Sequence, residues 1–529
     1  MPKKNNKEVS GSLNALAKTS VIVFIGLILS KVLSYFYRFI AARAYGPDAY
    51  GLFSLALVIS GWFIAVATLG LSDGLLRYIS LYRGKNNQKK INYLFKFSIV
   101  ILSATSIIAG ILMFVSAGWV STYVFHDARL IIFLQIFSLS VPLTVMATPL
   151  LMSIRAYEKI NAYSGIFNIL QNVVKVALLI ILVSVGIGSQ SISISYISGL
   201  LAVVIAAYWY LSKKMPEIMH RRDIKTKEKI DIRREVLSFS WPLMFYSILS
   251  TILYWIDSFS IGYFKDAAAV GLYNAAVPIA LLLTFAPELF TQLFIPMINR
   301  YHAAGKHKTI EELSKQMTKW IIAFNLPVFI AMIMFPGAII NVLFGAEYLG
   351  ASTALRILAI SALLNSLGVV ATSLLSMSGK SKTVLVNIFI AAFANFVLNI
   401  FLVPMKNVWF IENSLGINGA AISTLLSMVL FNILFFAQAY RHTGIIPVRR
   451  KILNVIAAAI IPTVTIILFH VWKPSSSILF LSAIGIVFIL VYWLCLVLFN
   501  AFDSHDNEII EKAKSKIPFL SSGVARGDI

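Results

Sequence analysis

Apolar runs of roughly 20 residues recur from Thr19 to Asn500, each closed by a polar or Gly/Pro-containing break. At 1.5 Å per residue, about 20 helical residues cross the roughly 30 Å hydrocarbon core of a bilayer. Composition agrees, with 59% hydrophobic and only 13% charged residues, against about 25% charged in soluble domains. The pattern predicts an all-α polytopic membrane protein of about 14 transmembrane helices. Their centres fall near residues 30, 62, 104, 140, 174, 201, 250, 284, 328, 364, 393, 428, 461 and 488.

The formal net charge of +23 raises the possibility of nucleic-acid binding, but the location of the charge argues against it. About 35 of the 45 basic residues fall in alternate connections and in the two tails. Among them are RYISLYRGKNNQKK, RAYEK, SGKSK and the long 213–235 segment. Under the positive-inside rule this asymmetry predicts both termini in the cytoplasm of a plasma-membrane protein. The N-terminal MPKKNNKEVSGSLNALAK is not expected to be a cleaved signal, since the run behind it is long and contains Lys31 and Arg38. One cysteine, Cys495, leaves no intramolecular disulfide or cysteine metal site. Neither a metal nor a cofactor is expected.

The chain repeats itself. GPDAYGLFSLALVI (46–59) is echoed by DAAAVGLYNAAVPI (266–279), aligning Gly51 with Gly271 at an offset of 220. LQIFSLS (134–140) matches LRILAIS (355–361), Lys159 pairs with Lys382, and Asn172 with Asn395. Because six spans is an even number, both halves enter the membrane with the same orientation, which predicts a parallel repeat about an axis along the membrane normal. The expected organisation is a six-helix lobe at 1–212, a basic cytoplasmic linker at 213–235, and a second six-helix lobe at 236–442. Two additional helices at 443–501 and a cytoplasmic tail at 502–529 complete it. Two such lobes are expected to face each other across a central cleft.

Polar residues inside the spans mark candidates for function, because buried charge in lipid costs about 2.5–3.5 kcal/mol on insertion scales. In the first span, Lys31 and Arg38 are seven residues apart and share a helix face. Asn168, Gln171, Asn172 and Lys175 form a stripe on the fifth. Thr251, Tyr254, Asp257 and Ser258 occupy the seventh, near the repeat equivalents of Lys31 and Arg38. Thr284, Glu288 and Gln292 lie one turn apart on the eighth, and Asn387, Asn395 and Asn399 share a face of the eleventh. Amides and hydroxyls also serve as interhelical glue worth about 0.6 kcal/mol each. The cations suit a pyrophosphate, which Arg grips bidentately. Asp257 and Glu288 suit coupling to H+ or Na+. Asp257 falls within one residue of the position equivalent to Arg38, so the two lobes are expected to present opposite charges to one cleft. Prolines at 142, 149, 242, 278, 287, 296 and 327 permit kinks, and bending of the seventh and eighth spans is a hinge candidate.

Three stretches carry a family resemblance: ARAYGPDAYGLFSLALVISGWFIAVATLGLSDGLLRYIS, IDSFSIGYFKDAAAVGLYNAAVPI, and NVLFGAEYLGASTALRILAISALLNSLGVVATSLLSMSGKSK. Over nearly its whole length the chain resembles the polysaccharide (Wzx-type) flippases of the multidrug/oligosaccharidyl-lipid/polysaccharide exporter superfamily. The resemblance implies two six-helix lobes, often with two further helices. It also implies translocation of a polyprenyl-pyrophosphate-linked oligosaccharide to the outer leaflet, without catalysis. By position, Lys31 and Arg38 become head-group candidates, with Asn172, Lys175 and Arg356 beside them. Implied partners are the lipid-linked oligosaccharide, membrane lipids and the glycosyltransferases of the same pathway.

Two rival functions stand against this one. A multidrug cation antiporter of the same superfamily would favour acidic cavity residues and typically twelve spans. A membrane glycosyltransferase or polymerase would need sizeable loops with acidic or His-bearing catalytic residues, and no HExxH or paired-His spacing occurs.

Overall fold

A computed structural model describes residues 2–220, 225–472, 478–499 and 501. The expected tail at 502–529, residues 221–224 of the basic linker and the side chain of Gln292 lie outside the described residues. The described chain is almost wholly helical. One short antiparallel pair, Asn407–Val408 with Ile411–Glu412, accompanies the helices.

Among the described residues, eleven helices are long and apolar enough to cross a membrane, from Gly26–Ala67 through Ile417–Thr443. The chain is therefore a multi-pass, all-α membrane protein. Two local features separate that number from the count of apolar runs. The first helix, Pro2–Ala67, carries two runs through a kink at Gly46, where φ is 74° and ψ 179°. Only glycine adopts those angles readily, and the following Pro47 has no amide proton to continue the ladder. The last two apolar helices, Ile452–Trp472 and Ile478–Leu498, are described in full only over Ile452–Thr465 and Gly485–Leu498.

Local sequence sets the other ends. Gly186, Gly305, Gly379 and Gly444 all have positive φ within two residues of a helix end, the left-handed stop that L side chains resist. Helix faces divide as lipid requires. On Gln88–Trp119, Ile107, Ile108, Ile111, Leu112 and Val115 are exposed. Leu102, Ser106, Ala109, Gly110 and Met113 on the same helix are buried. An outward face this apolar belongs in hydrocarbon rather than in water.

The chain groups into two compact units. The first comprises Met1–Pro278, Leu343–Ala354 and Ala392–Ser423; the second comprises Ile279–Val342, Leu355–Ala391 and Thr424–Ile529. In the first unit, Gln171–Ser184 packs on Gln190–Lys214, and Gln88–Trp119 on Ser140–Ala156. Lipid supplies little hydrophobic drive between helices, so close backbone approach at small residues matters more. Ala147 and Ala207 sit in a buried cluster with Leu150, Ile154, Val203 and Leu211.

The second unit packs Phe285–Ala303 on His307–Met334, and Ile452–Trp472 on Ile478–Leu498. The Tyr492 hydroxyl donates to the Ala323 carbonyl at 3.0 Å, fixing the last helix to the bundle. Lys319, only 2% exposed, donates to the Ala501 carbonyl at 3.3 Å.

Within the first unit, the two segments matched by the sequence repeat touch reciprocally. A Cβ placed on Gly51 would lie 1.7 Å from the Ala267 carbonyl oxygen and 3.0 Å from the Gly271 nitrogen. One placed on Gly271 would lie 2.0 Å from the Pro47 oxygen and 3.1 Å from the Gly51 nitrogen. Each glycine thus meets the residue four before its own repeat partner.

Candidate functional site

Arg38 is partly buried two turns beyond Lys31, which is itself half-buried. Its Nη1 donates to the Tyr50 hydroxyl at 3.2 Å, and that hydroxyl donates to the Asn274 carbonyl at 3.4 Å. The hydroxyls of Tyr35 and Tyr254 also lie within electrostatic reach of the guanidinium. Its immediate surroundings are therefore phenolic.

Lys175 approaches the same place from the helix Gln171–Ser184 and is 6% exposed. Its Nζ lies 5.1 Å from the centre of the Tyr37 ring and 5.7 Å from that of Tyr196. Such cation–π contacts contribute about 2 kcal/mol each when desolvated, which helps offset burial. Tyr37, whose ring Lys175 faces, directly precedes Arg38 in the chain. An anion entering beside these two basic side chains is attracted by both.

Backbone and amides hold this arrangement. The segment Gly165–Leu170 is π-helical, and such a bulge shifts the register of the side chains that follow. Asn172 donates to the Ser30 hydroxyl at 2.9 Å and to the Asn168 carbonyl at 2.7 Å. Asn168 in turn donates to Ser164 Oγ at 3.1 Å. Asn172 therefore ties the Lys175 helix to the residue preceding Lys31. On the other side, the Tyr37 hydroxyl donates to the Ile192 carbonyl and lies 3.3 Å from Ser195 Oγ.

Asp257, also in the first unit, sits in a separate oxygen-rich cluster. Its Oδ2 accepts from the Tyr273 hydroxyl at 2.7 Å and its Oδ1 from Asn399 Nδ2 at 2.8 Å. Asn399 Nδ2 also lies 2.6 Å from Asn395 Oδ1. Asn399 Oδ1 is buried with no hydrogen-bond partner among the described residues. A buried acceptor beside a carboxylate and a second amide is costly unless a donor or a cation meets it.

The remaining candidates belong to the second unit. Arg356 belongs to the second unit, where its exposed side chain donates through Nε to the Ile333 carbonyl at 3.0 Å. Glu288, in the same unit, is exposed in the first turn of Phe285–Ala303. So Lys31, Arg38, Asn172 and Lys175 belong to the first unit, with Asn172 tied to Ser30 and Lys175 set against Tyr37, while Arg356 and Glu288 belong to the second.

Sequence reasoning missed the aromatic frame of Tyr37, Tyr50 and Tyr196. Tyrosine in an apolar run reads as core, and the available signal was its recurrence beside intramembrane cations.

Comparison with known proteins follows the same lines. The chain is 24% identical over 436 residues to an uncharacterized membrane protein of Methanocaldococcus jannaschii, covering 78% of this chain and 82% of the relative. It is 23% identical over 424 residues to a probable low-salt glycan biosynthesis flippase of Haloferax volcanii, covering 79% and 82%. A solved structure of the lipid II flippase MurJ, in an inward closed conformation, superposes with a TM-score of 0.67 at 14% identity. That match covers 91% of this chain and 98% of the other, and shows the shared fold. Residues 242–401 match the MatE family. Residues 16–302, more than half of the chain, match the polysaccharide biosynthesis protein family. The chain belongs to the polysaccharide biosynthesis protein family.

Proposed function

We propose that the protein is a flippase that moves a polyprenyl-pyrophosphate-linked oligosaccharide from the cytoplasmic to the outer leaflet of the plasma membrane. The observation that carries this reading is a set of basic side chains framed by tyrosines, Arg38 bonded to Tyr50 and the buried Lys175 set against the rings of Tyr37 and Tyr196. A pyrophosphate neutralises both, and Arg38 offers it a planar fork of donors. A flippase name on a relative matched over four-fifths of its length supports the same conclusion. Lys31, about 10 Å from Arg38 along the helix at 1.5 Å per residue, suits a second acidic group rather than the same phosphate.

With both termini in the cytoplasm, head-group entry is from the inside and release is outside, by alternating access of the two repeats. The protein moves its substrate and transforms no bond. Glycosyltransferases of the same pathway are the expected suppliers. Asp257 is the coupling residue of this proposal: with Asn395 and Asn399 it offers clustered oxygens to Na+ or a site to H+. Either ion drives transport only through unequal affinity for the two states.

The test is transport by Arg38→Ala in reconstituted vesicles, with membrane insertion verified. Loss of flipping, with partial recovery in Arg38→Lys, supports the proposal. Normal transport by Arg38→Ala removes its central residue.

A further inference from the structure

We infer that the cavity between the interruption at 68–70 and the helix Thr226–Phe264 is the subsite for the sugars next to the pyrophosphate. The inference rests on the flippase reading above. The cavity encloses about 420 Å3. Its wall combines the rings of Tyr246, Tyr254 and Trp255, the hydroxyls of Ser250 and Thr251, and the Asp73 carboxylate.

The sequence builds this wall by breaking a helix. The first helix ends at Ala67, Leu69 and Gly70 turn left-handed at φ 50° and 64°, and the next helix starts at Leu71. A Cβ on Gly70 would meet the Ser240 oxygen at 2.4 Å and the Met244 nitrogen at 2.5 Å. The break is therefore seated directly on the backbone of the facing helix. Asp73 falls in the first turn of the resumed helix, where the N-terminal dipole favours a carboxylate. Among the described residues, no ion pair engages Asp73. Across the cavity, Trp255 stands edge-on to Tyr254 with ring centres 4.8 Å apart. Trp255 Nε1 lies 3.4 Å from the position of a Cβ on Gly61, so the second span fixes the indole.

The lining selects among ligand chemistries. A pyranose offers an apolar C–H face for an aromatic ring and adjacent hydroxyls that a carboxylate accepts as a pair. A phosphate is repelled by Asp73, and a lipid tail would desolvate the Asp73 carboxylate without pairing it. An organic cation suits the rings and Asp73, but Tyr254 is within electrostatic reach of Arg38, which opposes it. Position agrees as well. Arg38 is joined through Tyr50 and Asn274 to Ser258, one helical turn beyond Tyr254 on the helix that lines the cavity, and Tyr246 lies two turns before Tyr254, about 12 Å at 1.5 Å per residue. A pyrophosphate held at Arg38 therefore delivers its first sugars into the cavity.

The experiment compares binding of farnesyl pyrophosphate with farnesyl pyrophosphates bearing a hexose, an N-acetylhexosamine or a deoxyhexose, using purified full-length protein. Wild type is expected to bind at least one sugar-bearing probe about tenfold more tightly than the bare pyrophosphate, the scale of one charge-assisted hydrogen bond. Asp73→Asn and Trp255→Ala should reduce that margin to less than about twofold while leaving the bare probe's affinity unchanged. Trp255→Phe, which keeps a ring, should retain most of the margin, separating recognition from misfolding. A full margin in Asp73→Asn and Trp255→Ala overturns the inference. So does wild type binding all four probes equally, which leaves the flippase reading standing. Failure of wild type to bind any probe overturns that reading and the inference with it. Tetraphenylphosphonium binding that depends on Asp73 assigns the cavity to cations instead.

Discussion

Gly51 and Gly271, equivalent positions in the sequence repeat, lie against each other's preceding turn with no room for a side chain on either. The contact is symmetric, since each would drive a Cβ into the carbonyl of the residue four before the other. Backbone cannot yield as a flexible side chain does. Gly51→Ala or Gly271→Ala is therefore expected to destabilise the protein by about 1–3 kcal/mol, the usual cost of overpacking. Thermal unfolding in detergent checks this, and an unchanged midpoint in both variants contradicts the tight contact.

Lys175 offers a test of charge rather than shape. Lys175→Met removes a buried charge and should leave stability equal or higher, while head-group affinity falls about tenfold, the scale of one lost charge-assisted hydrogen bond. Lys175→Glu should pair with Arg38 and abolish transport in a well-folded protein. Retained transport in Lys175→Glu contradicts an anionic ligand at this place.

Asp257→Asn preserves most of the hydrogen-bonding shape around Tyr273 and Asn399 but removes the charge. The expected result is transport that no longer responds to an imposed Na+ or H+ gradient. A variant that keeps the wild-type gradient response takes Asp257 out of coupling.

Arg129, in the connection between Val124 and Leu130, binds Asp127 of the same connection at 2.8 Å and Asp48 of the first helix at 3.1 Å. The hydrogen bond from Arg129 holds the Asp127 carboxyl below the usual carboxylate range. The stabilisation is therefore complete above about pH 4, the unfolded-state value, and is lost as pH falls through the lowered one. Because the loop is exposed, its size is about 1 kcal/mol or less. Arg129→Gln should lower the midpoint slightly at pH 6 and not at all once Asp127 is protonated. An equal deficit at both pH values rules out this linkage.

Some of this was legible in the sequence because its signals are local. Run length gave the membrane helices, and the cost of charge in lipid singled out Arg38 and Lys175. The match of GPDAYG with DAAAVG marked Gly51 and Gly271 before any contact was known. Proximity was not legible. That Lys175 faces Tyr37 depends on how two helices distant in sequence pack, with a π-helical turn at Gly165–Leu170 setting the register. The interruption at Thr68–Gly70 was hidden because one glycine in a long apolar run carries little weight, and its seat on Ser240 and Met244 is tertiary. For Arg356 the resemblance supplies a position in the chain but no neighbours, and its bond to the Ile333 carbonyl within the second unit is tertiary.

The most direct test of the central claim measures two substrates side by side in vesicles containing the purified protein. One is a polyprenyl-pyrophosphate-linked oligosaccharide, scored by exposure of its glycan to an external lectin or hydrolase; the other is a lipophilic cation such as ethidium. A flippase built around Arg38 and Lys175 is expected to move the first and not the second, and to lose that activity in Arg38→Ala. Movement of the cation with the lipid-linked glycan left behind would contradict the assignment.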